Sequence, residues 1–281
     1  MEGKGVGAVV LAAGYGTRLE RDLRQDTSGL ALVPVGGKPL LDYWMEAFER
    51  SGVAPVYVVC NTRHEEHFKR WAEGRAFPLD HIINDGSTCN EERKGAIGAL
   101  HLAMKMKDLS GDLLAVAGDT LFDTDFKLEE VIDHFKSLAA GESLITYYEI
   151  KDRQEVTKRG IIEVDENDKA MIMLLYYHDQ NIVESNTVTK FLEKPKVEET
   201  ESSKACPPLY IYSKSAVPLI NQYVDEAEGK LALVDAPVAW LSARTTIRAH
   251  RLPGRFDIGS LGDYIQADAY FQKVNSTGPS Q

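Results

Sequence analysis

Through the first half of the chain, short apolar runs alternate with segments in which apolar residues recur every three to four positions. Runs at 6–11, 55–60, 81–84 and 113–117 predict strands, and segments 40–50, 64–74, 94–107 and 128–140 predict helices. The first run, Val6-Gly7-Ala8-Val9-Val10-Leu11, has no polar face, as expected of a strand covered on both sides. Such a strand needs helices above and below it, so the alternation predicts a doubly wound, mostly parallel sheet. The second half is more mixed, with strands expected over 144–149, 161–164, 170–178, 188–193 and 209–212. Helices are expected there over 215–228, 236–242 and 261–274. No repeat or linker divides the chain, which predicts one domain over 1–275 and a frayed tail over 276–281. The Glu- and Ser-rich stretch 197–204 is expected to be a mobile loop.

The first strand runs directly into Ala12-Ala13-Gly14-Tyr15-Gly16-Thr17-Arg18-Leu19. Gly14 and Gly16 allow positive φ and let backbone N–H groups approach a ligand, while Thr17 and Arg18 add a hydroxyl and a guanidinium. This is an anion site by chemistry, yet it is neither G-x-x-x-x-G-K-[ST] nor G-x-G-x-x-G, since Leu19 stands where the latter needs a glycine. Asp119 follows the apolar run 113–117, where open α/β sheets place their ligands. Asp257 precedes Gly259 and a helix start at Ser260 and offers a second carboxylate. Asp123 and Asp125 suit the turn and cap of the next helix and are left off a metal.

Composition narrows the classes. A net charge of −11 argues against a nucleic-acid surface, so any phosphate site must be local. Cys60, Cys89 and Cys206 have no metal-ligand spacing and are too few for a disulfide framework, which predicts a reducing compartment. The apolar run at the amino terminus is too short to span a bilayer and lacks a cleavage-site context. A cytoplasmic protein without membrane partners is expected.

The full stretch LAAGYGTRL resembles the amino-terminal motif of the sugar-1-phosphate nucleotidyltransferases, also called nucleoside-diphosphate-sugar pyrophosphorylases. That resemblance implies a Rossmann-like, doubly wound mixed sheet of the nucleotide-diphospho-sugar transferase (glycosyltransferase A-like) type. It also implies that Leu11, Ala12, Ala13, Gly14, Gly16, Thr17 and Arg18 wrap the nucleotide triphosphate. Arg93-Lys94-Gly95 resembles the helix start that faces the base, with Gly95 bringing its backbone close. Glu193-Lys194-Pro195 resembles the E-K-P motif, where Glu193 would bind sugar hydroxyls and Lys194 the sugar phosphate. Arg159-Gly160-Ile161-Ile162-Glu163 resembles Y-G-x-x-E, with Gly160 against the sugar. Asp119 and Asp257, the latter in a W-x-D-I-G-like segment, fall on the metal-binding positions, which implies Mg²⁺. Arg18, Lys194 and Asp119 are thus the catalytic candidates, and an NTP and a sugar 1-phosphate the substrates.

Several positions depart from the pattern. Leu30 stands where K-x-L-L-P-V places a phosphate-reaching lysine, and Lys38 belongs to a separate position that begins a helix. Cys206-Pro207-Pro208 replaces a small residue and glycine, and Phe256 is taken for the usual Trp. The stretch 171–186 is expected to form a hairpin that modifies the pocket or makes a homo-oligomer contact. No hexapeptide repeats point to an added left-handed β-helix. Beside an active transferase stand two readings: a binding or regulatory homologue with impaired turnover, motivated by Leu30, and a transferase for another phosphate monoester such as phosphocholine. Asn84-Asp85-Gly86 resembles the loop that faces the base together with the helix start at Gly95, and the glutamine that many thymidylyl and uridylyl enzymes carry near this point is absent, which leaves the choice of base open.

Overall fold

The protein is described by a computed structural model covering residues 5–24, 27–173, 182–226 and 237–277. Its main sheet has ten strands. In chain order they are β1 (Gly7–Leu11), β2 (Val56–Cys60), β3 (Ile82–Asn84), β4 (Leu113–Ala117), β5 (Ser143–Glu149), β6 (Gly160–Met173), β7 (Ile182–Glu193), β8 (Lys204–Cys206), β9 (Leu209–Tyr212) and β10 (Ile247–Arg251). Across the sheet the order is β8-β6-β7-β10-β5-β9-β4-β1-β2-β3. β3, β2, β1 and β4 are parallel, whereas β9 runs antiparallel to both β4 and β5. The sheet is therefore mixed and doubly wound, as expected.

Among the described residues eight α-helices flank it: α1 (Thr17–Leu23), α2 (Leu40–Ser51), α3 (Glu65–Glu73), α4 (Gly95–Met106), α5 (Leu128–Ser137), α6 (Val217–Glu226), α7 (Val238–Ser242) and α8 (Leu261–Thr277). The period-two geometry of β1 shows why its sequence is apolar throughout. Ala8 and Val10 enter the core shared with α2, α3, α5 and α8, while Val9 enters the opposite core with α4, α6 and α7. All three are fully buried, and each such valine contributes about 1.5–3 kcal/mol. A strand clamped this tightly holds the loop after Leu11 in a fixed place.

The structure corrects four expectations. First, α1 and β10 were not expected as separate elements. Second, segment 197–204 is anchored: Arg153 donates to the carbonyls of Val197 (3.1 Å), Thr200 and Ser202 (2.9 Å). Lys204 and Ala205 also pair with Glu149 and Tyr148 of β5. Third, β6 runs unbroken to Met173 and pairs with β7 as the expected hairpin, whose tip, 174–181, lies outside the described residues. Fourth, α8 continues through Ser276 to Thr277, so the expected tail begins later than 276, and 278–281 lie outside the described residues. Residues 227–228 and 236, expected in helices, also lie outside them.

Candidate active site

The turn after β1 is built by backbone conformation. Gly16 adopts φ +65° as it opens α1, and a Cβ there would come within 3.0 Å of the Leu30 side chain. Gly14 does not take positive φ, contrary to expectation; it is exposed, and a Cβ there would meet no atom within 4 Å. Its value is an uncovered backbone. Asn61 holds the loop by donating to the Ala13 carbonyl (3.0 Å), and buried Tyr15 donates to Ser87 (3.2 Å). Behind the loop, Glu20 accepts from Thr27 (3.1 Å) and Arg63 (3.1 Å), which ties α1 to the segments around it.

Two cavities open beside this loop. One, about 370 Å³, is lined by Leu11, Ala12, Ala13, Gly14 and Arg18, together with Leu30, Asp85 and Arg93. The other, about 430 Å³, is lined by Gly160, Glu193, Cys206 and Pro208, with Tyr210 and Tyr212 among its walls. Leu11, Gly95, Ala96, Ala117, Asp119 and Lys194 line both, so the two are lobes of one cleft. The amino end of α4, where Gly95 has φ +71°, is presented to both lobes, and helix amino ends favour anions. Gly16 and Thr17, expected at the nucleotide, do not line either lobe; Gly16 makes the turn and Thr17 starts the helix. Lys38 is also elsewhere, paired with Glu46 at 2.6 Å beside the start of α2.

The carboxylates meet through a small antiparallel pairing of Thr120–Leu121 with Phe256–Asp257, reinforced by the Ile258 N–H donating to the Asp119 carbonyl (3.0 Å). Burial, and then the charge of Asp257, push the Asp119 carboxyl above the usual carboxylate range, with Arg255 pulling it back. A buried carboxylate raised by its neighbour's charge would gain from a divalent cation. Among the described residues no cluster of three or more His, Cys, Asp or Glu forms a metal site. A two-carboxylate set fits Mg²⁺, which completes its shell with water and phosphate oxygens. One oxygen of Asp257, Oδ2, already accepts from Arg159 (3.2 Å) and from Arg255.

In the second lobe, Gly160 and Glu193 are register partners between β6 and β7. A Cβ on Gly160 would lie 2.7 Å from Phe191 Cζ and 3.4 Å from Glu193 Oε2, so only glycine lets these side chains close up. Lys194 takes φ +47°, strained for a residue with a side chain, while its N–H donates to the Arg159 carbonyl (2.9 Å). Pro208 accepts from the Ala117 N–H (3.0 Å), so the altered Cys206-Pro207-Pro208 turn is bonded to the end of β4.

The W-x-D spacing also needs correction. The Trp position, two residues before Asp257, is held by Arg255 and not Phe256. Phe256 packs on Tyr270 and Phe271 of α8, while Arg255 lines the second lobe. Sequence reasoning assigned no role to Arg93, Asp85, Lys158, Arg159 or Arg255. All but Lys158 stood inside motifs the sequence offers, and for Arg159 and Arg255 charge at positions otherwise aromatic was the available signal.

A family model described as Nucleotidyl transferase matches residues 7–274. The chain belongs to the nucleotidyl transferase family. Among its family relatives, a low-salt glycan biosynthesis nucleotidyltransferase of Haloferax volcanii is 25% identical over 270 residues, covering 92% of this chain and 64% of that protein. A putative UTP–glucose-1-phosphate uridylyltransferase of Methanocaldococcus jannaschii is 24% identical, covering 93% of this chain and 91% of the relative. The chain spans 64% and 54% of the first two curated relatives it matches. The fold is that of a UDP-glucose pyrophosphorylase solved with UDP-glucose, at a TM-score of 0.70 and 20% identity, covering 96% of this chain and 99% of that one. Among the described residues, no helix of this nucleotidyl transferase family member is long and apolar enough to cross a membrane.

Proposed function

We propose that this protein transfers a nucleoside monophosphate from an NTP to a sugar 1-phosphate, giving an NDP-sugar and pyrophosphate. The observation that carries the reading is the cleft of two lobes joined at Asp119 and Lys194. In this reading the triphosphate lies in the first lobe, along the uncovered backbone at Gly14 and the amino end of α4 at Gly95. Arg18 and Arg93 neutralise the charge that builds on departing pyrophosphate. The acceptor lies in the second lobe, where Glu193 takes hydrogen bonds from sugar hydroxyls and Gly160 lines the wall beside the ring. Lys194, common to both lobes, holds the acceptor phosphate as its oxygen attacks the α-phosphorus; the bond to the β-phosphate oxygen breaks in line. Asp119 and Asp257 would hold Mg²⁺, which when bound neutralises phosphate charge during transfer.

The experiment is pyrophosphate release with Mg²⁺, each common NTP and a panel of sugar 1-phosphates plus phosphocholine. Release with a sugar 1-phosphate that disappears in Asp119→Ala is expected. NTP binding by thermal shift without release above the Asp119→Ala background would refute turnover. That result would favour the binding homologue, a reading supported by uncharged Leu30 in the wall of the first lobe.

A further inference from the structure

The second lobe is unusually cationic for a chain of net charge −11. Lys94, Lys158, Arg159, Lys194 and Arg255 line it, against the carboxylates Asp119, Glu193 and Asp257. Only Lys194 of these cations also lines the first lobe. A group that grips the phosphate undergoing bond formation must reach the seam between the lobes, and Lys194 does so. Arg159 and Arg255 face the remainder of the acceptor space.

These two guanidiniums are under-used by the protein itself. Both donate to one oxygen of Asp257, and Arg159 also donates to Glu155 (3.2 Å), which Lys158 already engages at 2.8 Å. Three cations thus share two carboxylates, one of which is a candidate metal ligand. The Arg255 side chain is only 10% exposed, and the Nε atoms of both arginines are buried without a hydrogen-bond partner among the described residues. Leaving a buried N–H of a charged group without an acceptor is costly, and two guanidiniums sharing one carboxylate oxygen are short of acceptors, so a further ligand oxygen relieves a cost already present in the fold. A guanidinium matches carboxylate and phosphate oxygens bidentately, whereas a neutral sugar ring offers it only hydroxyls. Both arginines occupy positions that are aromatic in the motifs they resemble, Y-G-x-x-E and W-x-D-I-G.

We propose that the acceptor carries a second anionic group, a carboxylate or a further phosphate, beyond its 1-phosphate, and that Arg159 and Arg255 read it. The proposal rests on the transferase reading for the placement of the 1-phosphate at Lys194. Its test is a binding comparison that needs no turnover: calorimetric titration of the unmodified protein with glucose 1-phosphate, glucuronic acid 1-phosphate and glucose 1,6-bisphosphate. At least one of the two doubly substituted ligands is expected to bind about tenfold or more tightly than glucose 1-phosphate, and the better one identifies carboxylate or phosphate as the group read. In Arg159→Tyr and Arg255→Trp the gap is expected to close, with glucose 1-phosphate binding retained. Arg159→Gln and Arg255→Gln replace any variant whose circular dichroism shows misfolding. Equal affinity for all three ligands overturns the proposal. So does an equal loss for all three in the variants, which would mean that the arginines grip the 1-phosphate itself. Pyrophosphate release is measured separately with the same ligands: its absence refutes the transferase reading, and the binding comparison still decides the role of the arginines.

Discussion

His134 of α5 and His250 of β10 form a buried pair whose response to pH can be worked out in advance. Their Nδ1 atoms are 2.8 Å apart, a hydrogen bond with room for one proton, and both rings are almost fully buried. Burial, and then the charge of Arg248, take His134 down to about 4; burial, and then His134, take His250 down to about 3. Both folded-state values lie below the 6.5 of a free histidine, so between these limits the unfolded chain binds more protons than the native one. The stabilisation is therefore present above about pH 6.5 and is lost as pH falls toward the folded values. Between pH 7 and pH 5 each imidazole forfeits about 1.5–2 kcal/mol, and the pair about 3–4 kcal/mol. That is a large share of the roughly 5–15 kcal/mol that holds a typical domain folded. Urea unfolding at pH 7, 6 and 5, run on the protein and on His134→Leu/His250→Leu, isolates the effect because other titrating groups are common to both. The unmodified protein should lose about 3–4 kcal/mol more than the variant over this range. Equal losses would refute a neutral buried pair.

Gly160→Ala should cost about 1–3 kcal/mol of stability, because its Cβ would press on the buried Phe191 ring. It should also raise the KM for the acceptor more than that for the NTP, since the crowded Phe191 and Gly160 itself line the second lobe and not the first; equal effects on both KM values would count against the two-lobe assignment. In the first lobe, Arg93→Ala should lower kcat/KM by about 10²-fold, whereas Leu30→Lys should raise it by less than about tenfold, because Arg18 and Arg93 already supply positive charge there. A hundredfold gain from Leu30→Lys would instead mean that the lobe lacks an effective cation.

What the sequence revealed about this site was whatever is encoded locally. The apolar run of β1, its glycine turn, Asp119 at the end of β4 and the Glu193-Lys194 pair are short patterns, and all of them reach one cleft. Elements defined by distant partners were illegible. β10 reads Ile-Arg-Ala-His-Arg, and it is a strand because Ile247 and Ala249 are buried while Arg248 finds Glu142 at 2.8 Å. The 197–204 segment looked mobile from its own composition, but the guanidinium that fixes it comes from Arg153. Arg255 was missed for a different reason: adjacent aromatic Phe256 drew the comparison with Trp, and only the packing of Phe256 against α8 separates the two.

Gly160 begins β6 and Glu193 ends β7, so the acceptor lobe draws on both arms of one hairpin, with Arg159 and Lys194 at its base. The first lobe draws instead on the loop after β1 and the start of α4. Much of a change of acceptor can thus accumulate in one contiguous stretch of coding sequence, with Tyr210 and Arg255 added from outside it. Grafting 158–194 together with residue 255 between homologues is accordingly an economical way to exchange acceptors, and the β6–β7 hairpin is the larger unit on which natural diversification of this scaffold acts.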